Sequence, residues 1–301
     1  MTDISSTQPS APVSSRRWLL FALLTVGLWG VWGAFAGISA QRGFPETLVY
    51  CVWALTMIVP AVVVMQREKW KLDRDPKSIL YGLLIGLTGA GGQMILFYAV
   101  TTGPAYLIFP IISLSPLVTI LMSLLLLKER TTKLGALGVA LALVALPLFD
   151  FSPQGFSFMQ GGSWFPLALI IMGCWGVQAY FMKLANNRMS AESIFFYMTL
   201  SGLMLIPVAL AMTDFAKPIN WGLDGPWLAA VIQSLNAIGA LFLVYAFRHG
   251  KAIVVAPLTN AGAPLATSVI ALLIAGVMPG ELKMVGLALA FIAAALLATA
   301  A

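Results

Sequence analysis

Long apolar runs dominate the chain, and they decide what it can fold into. Ten apolar segments of about 16–26 residues follow one another, each close to the length that crosses a ~30 Å hydrocarbon core. Hydrophobic residues fill 60% of the 301 positions and charged residues only 9%. A soluble domain carries about 25% charged residues, so this chain could not cover its own surface in water. It is therefore predicted to be an integral membrane protein.

The segments are predicted to be helices, because lipid offers the backbone no hydrogen-bond partners and the runs are about twice the length of a barrel strand. The fold class is thus all-α, with ten transmembrane helices. The predicted spans are Trp18–Ser39, Thr47–Met65, Ser78–Val100, Ala105–Leu127, Leu134–Phe149, Phe165–Leu184, Ser193–Met212, Trp227–Phe247, Ala252–Val277 and Met284–Ala300.

The positive charges predict an orientation. Fourteen of the 17 Lys and Arg residues fall in the N-terminal tail or in the second, fourth, sixth and eighth connections. The other side holds only Arg42, Lys217 and Lys283. Because cytoplasmic loops are enriched in Lys and Arg, both termini are predicted to be cytoplasmic, in a multi-pass protein of the cell (inner) membrane.

The two halves of the chain repeat each other at a spacing of 146–147 residues. Trp29-Gly30-Val31 recurs as Trp175-Gly176-Val177, and the pattern Tyr-Ala-x-x-x-Gly-x-Ala begins at both Tyr98 and Tyr245. Pro110 then matches Pro257, and Pro116 matches Pro264 after a one-residue insertion. Several matches in the same order indicate a duplicated unit.

The repeat divides the chain into a disordered cytoplasmic tail (1–15), a first five-helix repeat (16–150) and a second one (164–301). Each repeat has an odd number of spans, so the second starts on the opposite side of the membrane from the first. The repeats are therefore predicted to be inverted, as in many secondary transporters.

These features resemble the drug/metabolite transporter superfamily, in its EamA-type form with ten helices. The resemblance is carried by the ten spans, the repeat, the Tyr-Ala-x-x-x-Gly-x-Ala joint before a proline-bearing fourth span, and Lys128-Glu129-Arg130. It implies a membrane transporter and leaves the substrate open, since the superfamily includes exporters of amino acids and other metabolites as well as sugar carriers. The second half departs from the pattern, because Pro279-Gly280-Glu281 replaces Lys-Glu-Arg.

The spans lack the groups that catalysis or metal binding needs. Every Asp and Glu lies in the tail, in a loop or at a span end, and the single histidine, His249, lies in the eighth connection. Cys51 and Cys174 are both in apolar runs. No Ser/His, paired-Asp or zinc constellation lies within a span. No enzyme activity, cofactor or metal site is predicted.

Amides and tryptophans are the candidate substrate-binding groups. Gln93 lies on one face of the third span, and Gln233 and Asn236 lie on the matching face of the eighth. Their burial in hydrocarbon is costly, which favours a cavity, but such amides also hydrogen-bond helices together, and both interpretations stay open. The remaining candidates, which form an aromatic wall or fill packing space, are Trp29 and Trp32 of the first span, with Trp175 and Gln178 of the sixth.

Prolines predict breaks in the fourth and ninth spans. Pro110, Pro116, Pro257 and Pro264 each remove a backbone donor and free the carbonyl four residues earlier. A polar residue lies between each pair, Ser113 and Asn260 respectively. Broken helices at matching places in inverted repeats indicate a binding site at the midplane, whereas kinks shielded by neighbouring helices are the alternative.

The sequence therefore predicts a secondary transporter that moves a small neutral or zwitterionic metabolite, amino-acid-like and exported, by alternating access. The alternatives are a sugar or nucleoside uptake carrier, and a non-transporting membrane sensor or assembly protein. The expected partners are the small-molecule substrate and the lipid bilayer, with no nucleic acid, in a monomer or homodimer.

Overall fold

The computed structural model describes residues 17–126, 132–152, 155–156, 162–249, 252–276 and 278–300. The predicted tail (1–15) and the Lys128-Glu129-Arg130 motif lie outside these residues. Within the described helices some side chains are also outside the description, among them those of Pro257 and Asn260.

The described chain forms helices where the apolar runs predict them, and the helix ends fall within three residues of the predicted ones. Four of the ten spans consist of two helices each. In order, spans 1 to 10 are Arg17–Phe35 with Ile38–Gln41, Glu46–Thr56 with Ile58–Arg67, Pro76–Thr102, Ala105–Ile112 with Ser115–Leu126, Lys133–Asp150, Trp164–Asn186, Ala191–Met204 with Ile206–Met212, Leu228–His249, Ala252–Ala275 and Glu281–Ala300. A short kinked turn, Leu223–Trp227, whose backbone is non-helical at Gly225, leads into span 8.

Length and apolar composition qualify seven of the described helical segments to cross a bilayer, and these are spans 1 to 4 and 6 to 8. Spans 5 and 9 contain shorter apolar helices, Lys133–Phe149 and Gly262–Ala275. The protein is thus an all-α integral membrane protein. One small departure from the prediction is an antiparallel ribbon between the repeats, in which Phe151–Ser152 pairs with Gly155–Phe156.

The two repeats interlock rather than folding side by side. Span 1 packs against spans 8 and 9, and its repeat mate, span 6, packs against spans 3 and 4. Span 3 packs on span 7 as span 8 packs on span 2, while spans 5 and 10 pack on each other. Each of these contacts maps onto its partner when the repeats are exchanged, so the described helices obey the predicted twofold relation.

Single hydrogen bonds follow the same relation. The Thr267 hydroxyl in span 9 donates to the Gly30 carbonyl in span 1, at 3.1 Å. The Thr119 hydroxyl in span 4 donates to the Gly176 carbonyl in span 6, at 2.8 Å. Gly30 and Gly176 belong to the repeated Trp-Gly-Val motif. The motif therefore marks the place where each repeat's first helix meets the fourth helix of the other repeat.

Two ion pairs are also related by the repeat. The Arg42 guanidinium lies 3.0 Å from the Asp224 carboxylate, and the Arg188 guanidinium lies 2.5 Å from the Asp75 carboxylate. Arg42 and Arg188 occupy equivalent places, between the first two spans of each repeat, while each aspartate lies just before the third span. An odd number of spans separates the two arginines, so the pairs lie at opposite faces of the membrane.

The Asp75 carboxylate is strongly stabilised in its charged form. Hydrogen bonds from Ser78 and then from Arg188 lower its pKa from 3.8 to about 2. A depressed carboxyl pKa adds stability that is fully present above the unfolded value and is lost as the pH falls towards the folded one. The pair with Arg188 therefore remains intact from neutral pH down to the acidic window between about pH 4 and pH 2.

Matching interruptions occur in spans 2 and 7. Span 2 changes helix at Met57 and span 7 at Leu205. Pro60 and Pro207 follow these points and are themselves 147 residues apart, which is the repeat spacing. A proline cannot donate to the carbonyl four residues earlier, so each repeat loses the same helical hydrogen bond at the same place.

Candidate binding cavity between the repeats

A cavity of about 110 Å³ lies between the repeats near the middle of the spans. Six of the nine residues predicted to bind substrate line it: Trp29, Trp32, Gln93, Trp175, Gln178 and Asn236. Spans 2 and 7 also contribute to its wall, through Trp53, Met57 and Met198. The lining thus draws on eight spans, whereas the sequence predicts six.

Two of the wall tryptophans make equivalent contacts in the two repeats. The Trp29 indole N–H donates to the Asn236 carbonyl at 3.0 Å, and the Trp175 indole N–H donates to the Gly89 carbonyl at 3.3 Å. Residues 89 and 236 are 147 apart, so the contacts are related by the repeat. These tryptophans are part of the wall and also join the first helix of one repeat to the third helix of the other.

The other two wall tryptophans bind amide side chains. The Trp32 indole N–H donates to Gln233 Oε1 at 2.7 Å, and the Trp53 indole N–H donates to Asn236 Oδ1 at 2.9 Å. Gln233 is 1% exposed and is not among the residues that line the cavity. It connects spans 1 and 8, whereas Asn236 both connects spans 2 and 8 and lines the cavity.

Gln93 resembles Gln233 in having a buried Nε2 group without a hydrogen-bond partner among the described residues, but only Gln93 lines the cavity. Its side chain is 4% exposed and lines the cavity. Its Nε2 group is buried and has no hydrogen-bond partner among the described residues. Buried donors are nearly always satisfied, and an unsatisfied one in a native structure calls for an explanation. A ligand or water in the cavity would supply the missing acceptor.

Ser113 and the prolines of span 4 lie outside the cavity lining. Ser113 is fully buried, and its hydroxyl donates to the Pro110 carbonyl at 2.6 Å. The span is broken as predicted, since one helix ends at Ile112 and the next begins at Ser115, with Pro116 as its second residue. Of this break, only Ser115 lines the cavity.

Span 9 differs from its prediction. Ala252–Ala275 is one uninterrupted helix that includes both prolines, so the predicted break is wrong. Neighbouring helices can shield a proline inside a span, and here the Thr267 hydroxyl ties the helix to span 1. Pro264 lines the cavity, while the side chains of Pro257 and Asn260 lie outside the description.

Sequence reasoning missed several lining residues, and some had a detectable signal. Thr259, Ala263 and Thr267 of span 9 recur every four residues, which places them on one helical face. Trp53 and Met57 show the same spacing in span 2. For spans 2 and 7, the detectable signal was the pair Pro60 and Pro207, which lie at the repeat spacing.

The described residues that line the cavity include no Asp, Glu, Lys, Arg or His. Glu192, predicted at a span end, is buried in the first turn of span 7, at 6% exposure. His249 is exposed and its ring stacks on that of Phe21, with centroids 5.8 Å apart. The polar groups of the cavity are thus amides, hydroxyls and backbone groups.

Two interlocked repeats of membrane helices around a neutral central cavity define a protein of the drug/metabolite transporter type. The chain belongs to the EamA-like transporter family, whose model matches residues 16–149 and 162–299. These two matches coincide with the two repeats, so the resemblance seen in the sequence is confirmed.

The chain is also similar to two other proteins. "Uncharacterized protein MJ1333.1" of Methanocaldococcus jannaschii is 25% identical over 134 residues, which cover 44% of this chain and 96% of that protein. A solved crystal structure of a protein matches with a TM-score of 0.64 and 18% identity, over 94% of this chain and 96% of that one. The first match is about as long as a single repeat, and the second protein has the same fold over nearly the whole length.

Proposed function

We propose that the protein moves a small neutral or zwitterionic metabolite, amino-acid-like and in the direction of export, across the cell (inner) membrane by alternating access. The observation that carries this proposal is the cavity between the repeats, whose described lining combines indole rings with amides and holds no charged side chain. An organic cation would need a carboxylate there to offset its lost hydration.

The size of the cavity supports a small substrate. Sites for drug-sized ligands occupy about 300–1,000 Å³. The cavity here is about 110 Å³, which suits a compact metabolite better than a bulky drug.

The packing of the apolar core supports movement at one end. Near the ends of spans 3, 6 and 7 that meet at Arg188, one buried cluster forms around Ile85, Ala185 and Tyr197. A second cluster, with Ala22 and Leu243, joins spans 1, 8 and 9 at the same end. The rest of the buried apolar core is a single large cluster that continues across both repeats. Because spans 3, 6 and 7 share one small cluster and spans 1, 8 and 9 share another, these two groups of helices can separate at this end without breaking either cluster.

The absence of a titratable side chain from the described lining favours facilitated diffusion or exchange over tight proton antiport. Proton relays within membranes use Asp, Glu or His. The direction of transport and the cytoplasmic placement of both termini rest on the family and on the fourteen basic residues of one side.

The proposal is tested in proteoliposomes with a panel of labelled neutral amino acids, sugars and nucleosides, with and without a pH gradient. Counterflow of an amino acid, independent of the gradient, is the expected result. Ala240 lines the cavity, and Ala240→Leu should fill it and reduce counterflow by about tenfold or more. The matched control is Ala140→Leu, at an exposed position of span 5.

Three results would contradict the proposal. Counterflow of sugars or nucleosides alone would assign another substrate class, and strict dependence on a pH gradient would contradict exchange. Equal effects of Ala240→Leu and Ala140→Leu on counterflow would show that the cavity is not the site used in transport.

A further inference from the structure

Most hydrogen-bond donors around the cavity already bond to oxygen atoms of the protein. An indole N–H can only donate a hydrogen bond. Those of Trp29, Trp32, Trp53 and Trp175 all donate to protein oxygens. The hydroxyls of Thr259 and Thr267, which also line the cavity, donate to backbone carbonyls. The donors left for a ligand are therefore the amides of Gln93, Gln178 and Asn236 and the hydroxyl of Ser115.

The orientation of the Asn236 amide is fixed by chemistry. The oxygen and nitrogen of such a side chain look alike, and their assignment rests on the hydrogen-bond network. Trp53 Nε1 lies 2.9 Å from Asn236 Oδ1, and this donor needs an oxygen opposite it. Asn236 consequently keeps Nδ2, a donor, for the cavity that it lines.

Gln93 supplies a second donor on the opposite repeat. Its side chain is more than nine-tenths buried, it lines the same cavity, and its Nε2 has no partner among the described residues. No described residue bonds the Gln93 amide, so it is free to turn its NH₂ group towards a ligand. Asn236 and Gln93 thus offer two NH₂ groups to one cavity, one from span 8 and one from span 3.

We infer that the substrate binds through a carboxylate, which accepts hydrogen bonds from Gln93 Nε2 and Asn236 Nδ2. This inference rests on the proposed function and names the group of the substrate that the site selects. Hydrogen bonds to an ionised acceptor are stronger than neutral ones, so the pair favours a carboxylate over a hydroxyl. The substrate's own ammonium offsets the buried negative charge and is stabilised by the faces of Trp29 and Trp175.

The test compares three probes that share one side chain: L-valine, isobutylamine, which lacks the carboxylate, and isovalerate, which lacks the ammonium. Binding to the purified full chain is followed by its tryptophan fluorescence, because four tryptophans line the cavity. Valine should bind best, isovalerate more weakly, and isobutylamine at least about tenfold more weakly than valine, since it forms neither amide contact. Isobutylamine that binds as tightly as valine, or no response to any probe, overturns the inference.

Two substitutions test the donors directly. Asn236→Asp keeps an oxygen for Trp53 but removes the NH₂ group, and Gln93→Glu makes the same exchange on span 3. Each should weaken valine binding by about tenfold or more and strengthen isobutylamine binding. Gln66→Glu, at an exposed position of span 2, is the matched control and should leave the order of affinities unchanged.

The outcomes separate the two proposals. If both variants leave the order of affinities unchanged while proteoliposomes still exchange an amino acid, the carboxylate site is wrong and the transporter stands. If no compound of the panel moves in proteoliposomes, the proposed function itself fails. A melting temperature for each variant identifies misfolding, in which case the other variant and the three-probe comparison on the natural sequence decide.

Discussion

Buried amides in this protein perform two different tasks. Gln233 accepts from the Trp32 indole at 2.7 Å and lies outside the cavity lining, so it joins helices. The Nε2 group of each glutamine is buried without a partner among the described residues, but only Gln93 lines the cavity, where a ligand can reach its donor. The sequence places both amides on matching faces of related spans. It cannot tell their roles apart, because helical periodicity identifies the face on which a residue lies but not the atoms that its side chain contacts.

The two amides should therefore respond differently to substitution. Gln233→Leu leaves the buried Trp32 N–H without its acceptor and should lower the free energy of unfolding by about 1–2 kcal/mol. The rise in melting temperature on adding substrate should stay unchanged. Gln93→Leu should abolish that rise while the melting temperature without substrate stays the same or increases. Loss of the substrate effect in Gln233→Leu would contradict this division.

Proline had different effects on different elements. The breaks predicted in spans 4 and 9 from four prolines occur only in span 4, while matched interruptions occur in spans 2 and 7. The ends of the spans were predictable because hydrophobicity and bilayer thickness determine them. The breaks were not, because a proline's local cost can be absorbed by neighbouring helices that the sequence does not reveal.

The interruption in span 2 should be needed for function rather than for stability. Pro60→Ala restores a donor to the Thr56 carbonyl and allows the two helices on either side of Met57 to join. A proline inside a helix is about 3 kcal/mol less favourable than alanine, so the melting temperature should hold or rise. Transport should fall, because Trp53 and Met57 of the cavity wall would shift.

Pro147→Ala provides the control, since Pro147 lies inside the continuous helix of span 5 and does not line the cavity. Equal transport by Pro60→Ala and the unaltered protein, measured as the initial rate of counterflow, would show that the interruption is not used.

The whole molecule is best understood from its repeat. The spacing of 146–147 residues, visible in a few motifs, predicted the two units, and the family matches confirm it. It did not predict that each repeat's first helix would pack on the third and fourth helices of the other. In lipid, apolar surface offers no preference among helices, so partners are chosen by close packing and hydrogen bonds such as that from Trp29 to Asn236.

The inverted arrangement makes a prediction about topology. A reporter fused after Ala301 should be cytoplasmic, because fourteen basic residues accompany the side that carries both termini. A reporter inserted in the loop from Asp150 to Ser163 should be external, since five spans precede it. A fluorescent protein paired with alkaline phosphatase distinguishes the two sides, and two reporters on one side would refute the ten-span arrangement.

The two ion pairs related by the repeat lie at opposite faces of the membrane, so the solution on each side acts on only one of them. Arg42 and Asp224 are 46% and 63% exposed, and Arg188 and Asp75 are 42% and 41% exposed, so dissolved ions reach both pairs. Salt screens exposed charges over a Debye length of about 8 Å at physiological strength, and the membrane keeps the two solutions apart. Raising salt on one side weakens only the contact on that side. The effect of salt on this protein therefore depends on the side of the membrane to which the salt is added. Vesicles with different salt concentrations inside and outside can impose this difference.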